Sequence, residues 1–196
     1  MLDAWRSRLA AIPWQIALQQ YNLVGSHDVP RLDTVVNGNE ALHRLAAVVQ
    51  FAYPGVPGLY YGDEIGLTDK PLLGPRGCMI WDESRWNQER LAFYKKLIAF
   101  RQQSTALQTG GLQILAVEED SFVFQREGSD GRVLVLAHRG ETERPASELA
   151  AVPAGIANGA RFRELFSGQE IEVSHGRLPL PAQLQGATLW HSTHTG

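Results

Sequence analysis

The 196-residue chain is 44% hydrophobic and 20% charged, with a formal net charge of −3. That composition supports folded cores and excludes long disorder and the basic field that nucleic acid or an anionic membrane would need. No apolar run nears the roughly 18 residues of a membrane span, Met1-Leu2-Asp3-Ala4-Trp5 lacks the order of a signal peptide, and the one cysteine, Cys78, allows neither an intrachain disulfide nor a zinc cluster, so a reducing, cytoplasmic setting without metal or cofactor is expected.

Residues from about Leu2 to Gln19 have helical spacing, with Pro13 as a break or restart. Tyr21 to Gly25 reads as a short buried strand running into the loop Ser26-His27-Asp28-Val29-Pro30-Arg31. Asn37 and Glu40 stand at capping-box spacing and open a helix whose apolar face is Leu42, Leu45, Val48 and Val49. Pro54-Gly55 ends it, and Val56 to Tyr61 forms a second short strand. A long helix spans about Trp86 to Gln103, with Leu91, Tyr94, Leu97 and Ile98 inward. Strand, helix, strand, helix is the order of a parallel sheet.

The texture changes at Gly110-Gly111, which divides the chain into an α/β part, residues 1–109, and an all-β part, residues 110–196. Ser121–Arg126 and Arg132–Ala137 are strands joined across Glu127-Gly128-Ser129-Asp130-Gly131, whose Asp130-Gly131 signals a hairpin. Arg161–Phe166 and Glu170–Val173 form another across Ser167-Gly168-Gln169. Leu178-Pro179-Leu180 and Ala187–Trp190 add short strands, and the Ala-, Pro- and Gly-rich stretch Glu141–Gly159 reads as a crossing loop. Such spacing without helices predicts an antiparallel sandwich.

Chemistry concentrates at Ser26-His27-Asp28. An isolated His-Asp is more often a turn cap beside a rim residue. Here the pair follows a strand and precedes a capped helix, and residues just past the carboxyl end of a parallel strand line active sites in α/β barrels. Asp28 then supplies a fixed, buried carboxylate and His27 a donor to a ring hydroxyl. Asp63-Glu64 invites comparison with the two carboxylates of a retaining glycosidase, roughly 5 Å apart. Adjacent strand residues point to opposite sides, so these two read as structural. Trp81 and Cys78 read as core residues, Trp190 as a sandwich anchor, and the Lys95-Lys96 pair as a solvated face. His43, His138, His175, His191 and His194 show no metal-ligand spacing.

The run Asn22-Leu23-Val24-Gly25-Ser26-His27-Asp28-Val29-Pro30-Arg31 resembles the seventh-strand signature of the α-amylase superfamily, glycoside hydrolase family 13, in the form seen in maltodextrin glucosidases and neopullulanases. Members usually carry Thr where Val29 stands. Gly55-Val56-Pro57-Gly58-Leu59-Tyr60-Tyr61-Gly62-Asp63-Glu64-Ile65-Gly66 resembles the eighth strand and its loop. Arg76-Gly77-Cys78-Met79-Ile80-Trp81-Asp82 resembles the segment before the last barrel helix, with Ile80 replacing a proline. The resemblance implies the last part of a TIM (β/α)8 barrel, about strands 7–8 and helices 6–8, followed by a sandwich. It implies that His27 binds the sugar next to the cleaved bond and that Asp28 is the third carboxylate, the transition-state stabiliser. Arg31 either lines the substrate cleft or pairs with a carboxylate such as Asp33 to hold the loop.

A complete barrel takes about 250 residues, and the segments that carry the nucleophile and acid/base in that family find no match before Tyr21. The expectation is therefore the carboxyl-terminal part of a retaining α-glucosidase acting on maltodextrins, inactive alone, whose partners are an α-glucan oligosaccharide and the missing amino-terminal barrel portion. A related transglycosylase or cyclodextrin or pullulan hydrolase, and a non-catalytic carbohydrate-binding module, remain open alternatives.

Overall fold

The computed structural model describes residues 7–192. The start of the first predicted helix and His194 lie outside them. Residues 7–10 form helix α1, and Pro13, with extended ψ of 143°, separates it from α2 (Trp14–Ala17), so the proline restarts the helix as its missing N–H requires. Strand β1 (Tyr21–Leu23) leads through the His27 loop to the short helix α3 (Leu32–Val35), then to α4 (Glu40–Ala52) and β2 (Val56–Gly58). β1 and β2 are parallel, in register Tyr21↔Val56 to Leu23↔Gly58. The strand–helix–strand unit read from the sequence is present, with both strands shorter than expected.

Two side chains fix this unit. Gln50 on α4 donates to Asn22 O at 2.9 Å and Gly58 O at 2.8 Å, and Asn22 Nδ2 donates to Pro54 O at 2.9 Å. Gly58 is required here, because a Cβ would lie 2.4 Å from the Tyr21 ring. The α4 cap is Asn39, whose side chain accepts from Leu42 N at 3.1 Å. Asn37 instead takes the left-handed conformation, φ 52°, that closes the α3 turn, a role Asn tolerates. The expected cap was thus displaced by two residues, and Glu40 pairs with Arg44 and Arg90 instead. Within α4 the fully buried face is His43, Ala47, Val48, Gln50, Phe51 and Ala52, while Leu42, Leu45 and Val49 are only half-buried.

Helix α5 (Gln88–Gln103) is capped by Asn87 and buries Arg90, Phe93, Tyr94 and Leu97. α6 (Thr105–Gln108) follows. Its first N–H groups at Thr105 and Ala106 donate to Asp130 at 2.7 and 3.0 Å, so a hairpin-turn carboxylate meets the positive end of a helix.

Strands β3 (Gly111–Val117), β4 (Ser121–Gly128), β5 (Gly131–His138), β10 (Gly186–Ser192), β7 (Arg161–Glu164) and β8 (Glu170–Glu172) form one antiparallel sheet in that spatial order. Both predicted hairpins are present, the first turning at Ser129-Asp130. β6 (Ser147–Ala150) and β9 (Arg177–Leu180) pair as a separate two-stranded sheet. β6 lies inside the stretch read as a loop. Its four residues are flanked by Pro and Gly and alternate half-buried with exposed, too short a run to stand out.

One core cluster joins Val123, Leu134, Leu136, Phe162 and Trp190 of the large sheet to Leu178 and Leu180 of the small one. Trp190 anchors it, as expected, at 1% exposure. The other cluster crosses the Gly110 boundary: Ala47, Val48 and Phe51 of α4 and Phe93 and Leu97 of α5 pack against Val133, Val135 and Leu189. The buried Arg126 reinforces that junction by donating to Ala52 O at 2.7 Å, Gly110 O at 2.8 Å and Gly111 O at 3.1 Å. Arg101 does the same to Phe51 O, Gly55 O and Leu107 O. Both guanidiniums sit at the negative end of α4, which offsets part of their burial. Burial still pushes the Arg126 group down to about 10, with Arg101 adding repulsion.

Candidate active site

Because β1 and β2 run parallel, the loops that follow them emerge at the same end of the unit. The first loop is a tight turn: Ser26 and Val29 form a bridge pair, and Ser26 Oγ accepts from Asp28 N at 3.1 Å. That turn puts His27 and Asp28 at its tip, where His27 Nε2 lies 3.1 Å from Asp28 Oδ2. The other carboxylate oxygen accepts from Arg76 Nη2 at 2.9 Å. The Asp28 side chain is 65% exposed, so the expectation of a buried carboxylate is corrected; among the described residues Arg76 reaches it from another loop. At that exposure the two pairs contribute little stability and serve instead to orient the groups.

Arg31, at the other end of the loop, is enclosed. It is 1% exposed, and its Nη1 donates to Tyr61 O at 2.6 Å and Asp63 Oδ1 at 3.0 Å, while Nη2 donates to Pro75 O at 3.1 Å. Its guanidinium lies 4.6 Å from the centre of the Tyr60 ring and 4.8 Å from that of Tyr61. Of the two roles left open by the sequence, this geometry favours loop-holding, with Asp63 in place of Asp33. Asp33 instead accepts from Arg90 Nη2 at 2.8 Å, in a buried group with His43 and Tyr94 that the half-exposed Glu40 joins from its edge. His43 is fully enclosed and bonded to Tyr94 Oη at 2.9 Å; burial, with repulsion from Arg90, pushes its imidazole down to about 4.

Asp63-Glu64-Ile65 forms a 3-10 turn rather than a strand, entered through Gly62 at φ 87°. Only glycine suits that position, since a Cβ would also meet Leu67 Cδ1 at 2.2 Å. Asp63 is buried, and burial pushes its carboxyl up to about 6 against the pull of Arg31. A carboxylate so enclosed cannot also attack a sugar. The segment from Lys70 to Gly77 is pinned beside Arg31, with Tyr60 Oη donating to Pro75 O at 3.2 Å and Tyr61 Oη donating to Gly77 O at 2.7 Å. Trp81, read as a core residue, is 80% exposed, and Cys78 is exposed as well. Neither has packing partners dictated by local sequence, because the segment from 66 to 87 is almost without regular structure. Sequence reasoning missed the Arg76–Asp28 and Arg31–Asp63 pairs, which join residues 48 and 32 positions apart.

Beside β1 lies an open cleft of about 1350 Å³ between α4 and the large sheet, lined among others by Tyr21, Leu23, Leu45, Val49, Tyr53 and Phe122. It sits along the strand rather than at the His27 tip.

Titratable side chains on loops at the carboxyl ends of adjacent parallel strands are the arrangement of a parallel α/β enzyme's active-site rim. The comparisons with known proteins specify the class. Residues 1–89 match the α-amylase catalytic-domain family. Neopullulanase 2 of Thermoactinomyces vulgaris is 35% identical over 183 residues, which cover 91% of this chain and 30% of that protein. A cyclomaltodextrinase of a Bacillus species is 37% identical over 151 residues, covering 74% of this chain and 27% of its own length. A solved cyclomaltodextrinase superposes with a TM-score of 0.84 at 29% identity, over 95% of this chain and 32% of that one. The chain belongs to the α-amylase family of glycoside hydrolases, and it spans less than a third of the length of these relatives.

Proposed function

We propose that the chain forms the last two strands of an α-amylase-type barrel with the sandwich that follows it, residues 1–109 and 110–196, and contributes half of a sugar-cleaving site. The substrate is a maltodextrin or related α-glucan oligosaccharide. His27 donates to a hydroxyl of the sugar beside the cleaved bond, and Asp28 faces the positive charge that develops at the anomeric carbon. Retaining hydrolysis needs two further carboxylates, one to attack and one to protonate the leaving oxygen. Asp63 does not qualify, being enclosed and paired. The reacting pair then comes from the rest of the barrel, whose binding to β1 and α4 would fill the cleft lined by Tyr21, Leu23, Leu45 and Val49. Arg31 acts as a loop support, and the exposed thiol of Cys78 accords with a reducing, cytoplasmic setting.

The observation that carries this reading is the solvent-facing His27–Asp28 pair at the carboxyl end of β1. Preorganised charge at a developing cation is among the strongest catalytic effects. The test is hydrolysis of maltotriose and of a nitrophenyl maltoside by the purified chain. No turnover above an Asp28→Asn control is expected, and measurable turnover that depends on Asp28 would show that the chain holds its own reacting carboxylates.

A further inference from the structure

Three separate stretches meet at one buried cation. Arg31 belongs to the turn that carries His27 and Asp28. Tyr61 and Asp63 follow β2, and Pro75 adjoins Arg76, the residue that grips Asp28. The backbone N–H of Arg31 also donates to Asp69 Oδ1 at 3.2 Å, so both ends of the 69–75 segment are tied to this residue. Of the acceptors around the guanidinium only Asp63 carries charge; Tyr61 O and Pro75 O are neutral carbonyls. Asp63 Oδ2 has no hydrogen-bond partner, and it stands 3.4 Å from where a Cβ of Gly25 would be, directly under the loop.

We propose that Asp63 is a positioning residue for the candidate site: acting through Arg31, its carboxylate fixes the loops that hold His27, Asp28 and Arg76, and its protonation loosens them. This rests on the reading of His27–Asp28 as the sugar-facing pair. The groups that face Asp63 are few. Arg31 at the start of α3 holds its charge, Glu64 beside it and burial oppose that charge, and Arg90 of α5 supports it from further off. Tyr94, also on α5, feels the carboxylate's charge and is bonded to His43 of α4. Burial outweighs the attraction of Arg31, placing the carboxyl at about 6, within the range an organism meets. A protonated Asp63 leaves Arg31 with neutral acceptors only, and a pair that was charge-assisted becomes an ordinary hydrogen bond.

Hydrogen exchange of the full chain tests this without sugar, so its outcome is independent of whether the site binds one. Protection, corrected for the intrinsic rate at each pH, is compared between the loops 25–32 and 69–77 and the interior of α5. In the wild-type chain the loops are expected to lose about tenfold protection from about pH 7 to about pH 5, while α5 holds. Asp63→Asn, which keeps the shape and removes the charge, is expected to show the loosened value at neutral pH and no pH dependence. Should that variant not fold, the wild-type series alone decides. Loop protection that does not change with pH, that changes equally in α5, or that keeps its pH dependence in Asp63→Asn overturns the proposal. Absence of maltotriose binding would instead count against the site reading and leave the loop mechanism standing.

Discussion

Asp63 and His43, both buried in the α/β half, titrate away from their ordinary ranges in opposite directions. Asp63 sits at about 6, so its contribution to stability is full below the ordinary carboxylate range and is lost as pH rises through about 6. His43 sits at about 4, so its contribution is full above the ordinary imidazole range and is lost as pH falls through about 4. Between these values the two slopes offset. Replacing Asp63 by Asn removes one of them, and stability should then fall more steeply on acidification, by on the order of 2–3 kcal/mol across the window. Urea unfolding at several pH values checks this; an unchanged or shallower slope in the variant contradicts it. Acid loosens the loop locally because in the loosened state Arg31 withdraws while Asp63 stays buried, so the carboxyl sits higher there than in the held state and protonation favours that state.

Among the elements, α4 ties β1 to β2 through Gln50, and its two ends are held differently. Asn39 caps the start, and Asn39→Ala should cost about 1 kcal/mol. At the other end Arg126 supplies donors to carbonyls of both halves of the chain. Arg126→Met keeps much of the volume but strands those carbonyls, and should cost about 2–4 kcal/mol. The exposed pair of Arg163 with Glu170 is a control, and Arg163→Ala should stay within about 0.5 kcal/mol. Denaturation midpoints at neutral pH separate the three, and equal losses for Arg126 and Arg163 would refute the assignment of Arg126 as the junction. Such elements differ in how far the sequence reveals them. α5 and the β4–β5 hairpin follow from helical spacing and Asp130-Gly131, and Trp190 from its short strand, all local signals. The strand β6 depends on pairing with β9 far along the chain, whereas the cap at Asn39 is a local bond to Leu42 N that Asn37, two residues earlier, rivals in the sequence.

In the whole molecule the site is legible as a place but not as a mechanism of support. His27 and Asp28 stand out because a titratable pair follows an apolar strand. Arg31 stands out beside them, though without its partner, whereas the links of Arg76 and Asp63 to the loop exist only once the fold brings β1 and β2 side by side. The chain also presents an open cleft along β1, which we assign to the remainder of an α-amylase-type barrel. The direct measurement is maltotriose hydrolysis after this chain is mixed with a separately produced polypeptide carrying the first six strands of such a barrel. Turnover is predicted to appear only in the mixture, and Asp28→Asn should lower kcat by about 10²–10³ with little change in KM. Full turnover with Asp28→Asn, or no binding between the two polypeptides, would contradict the account.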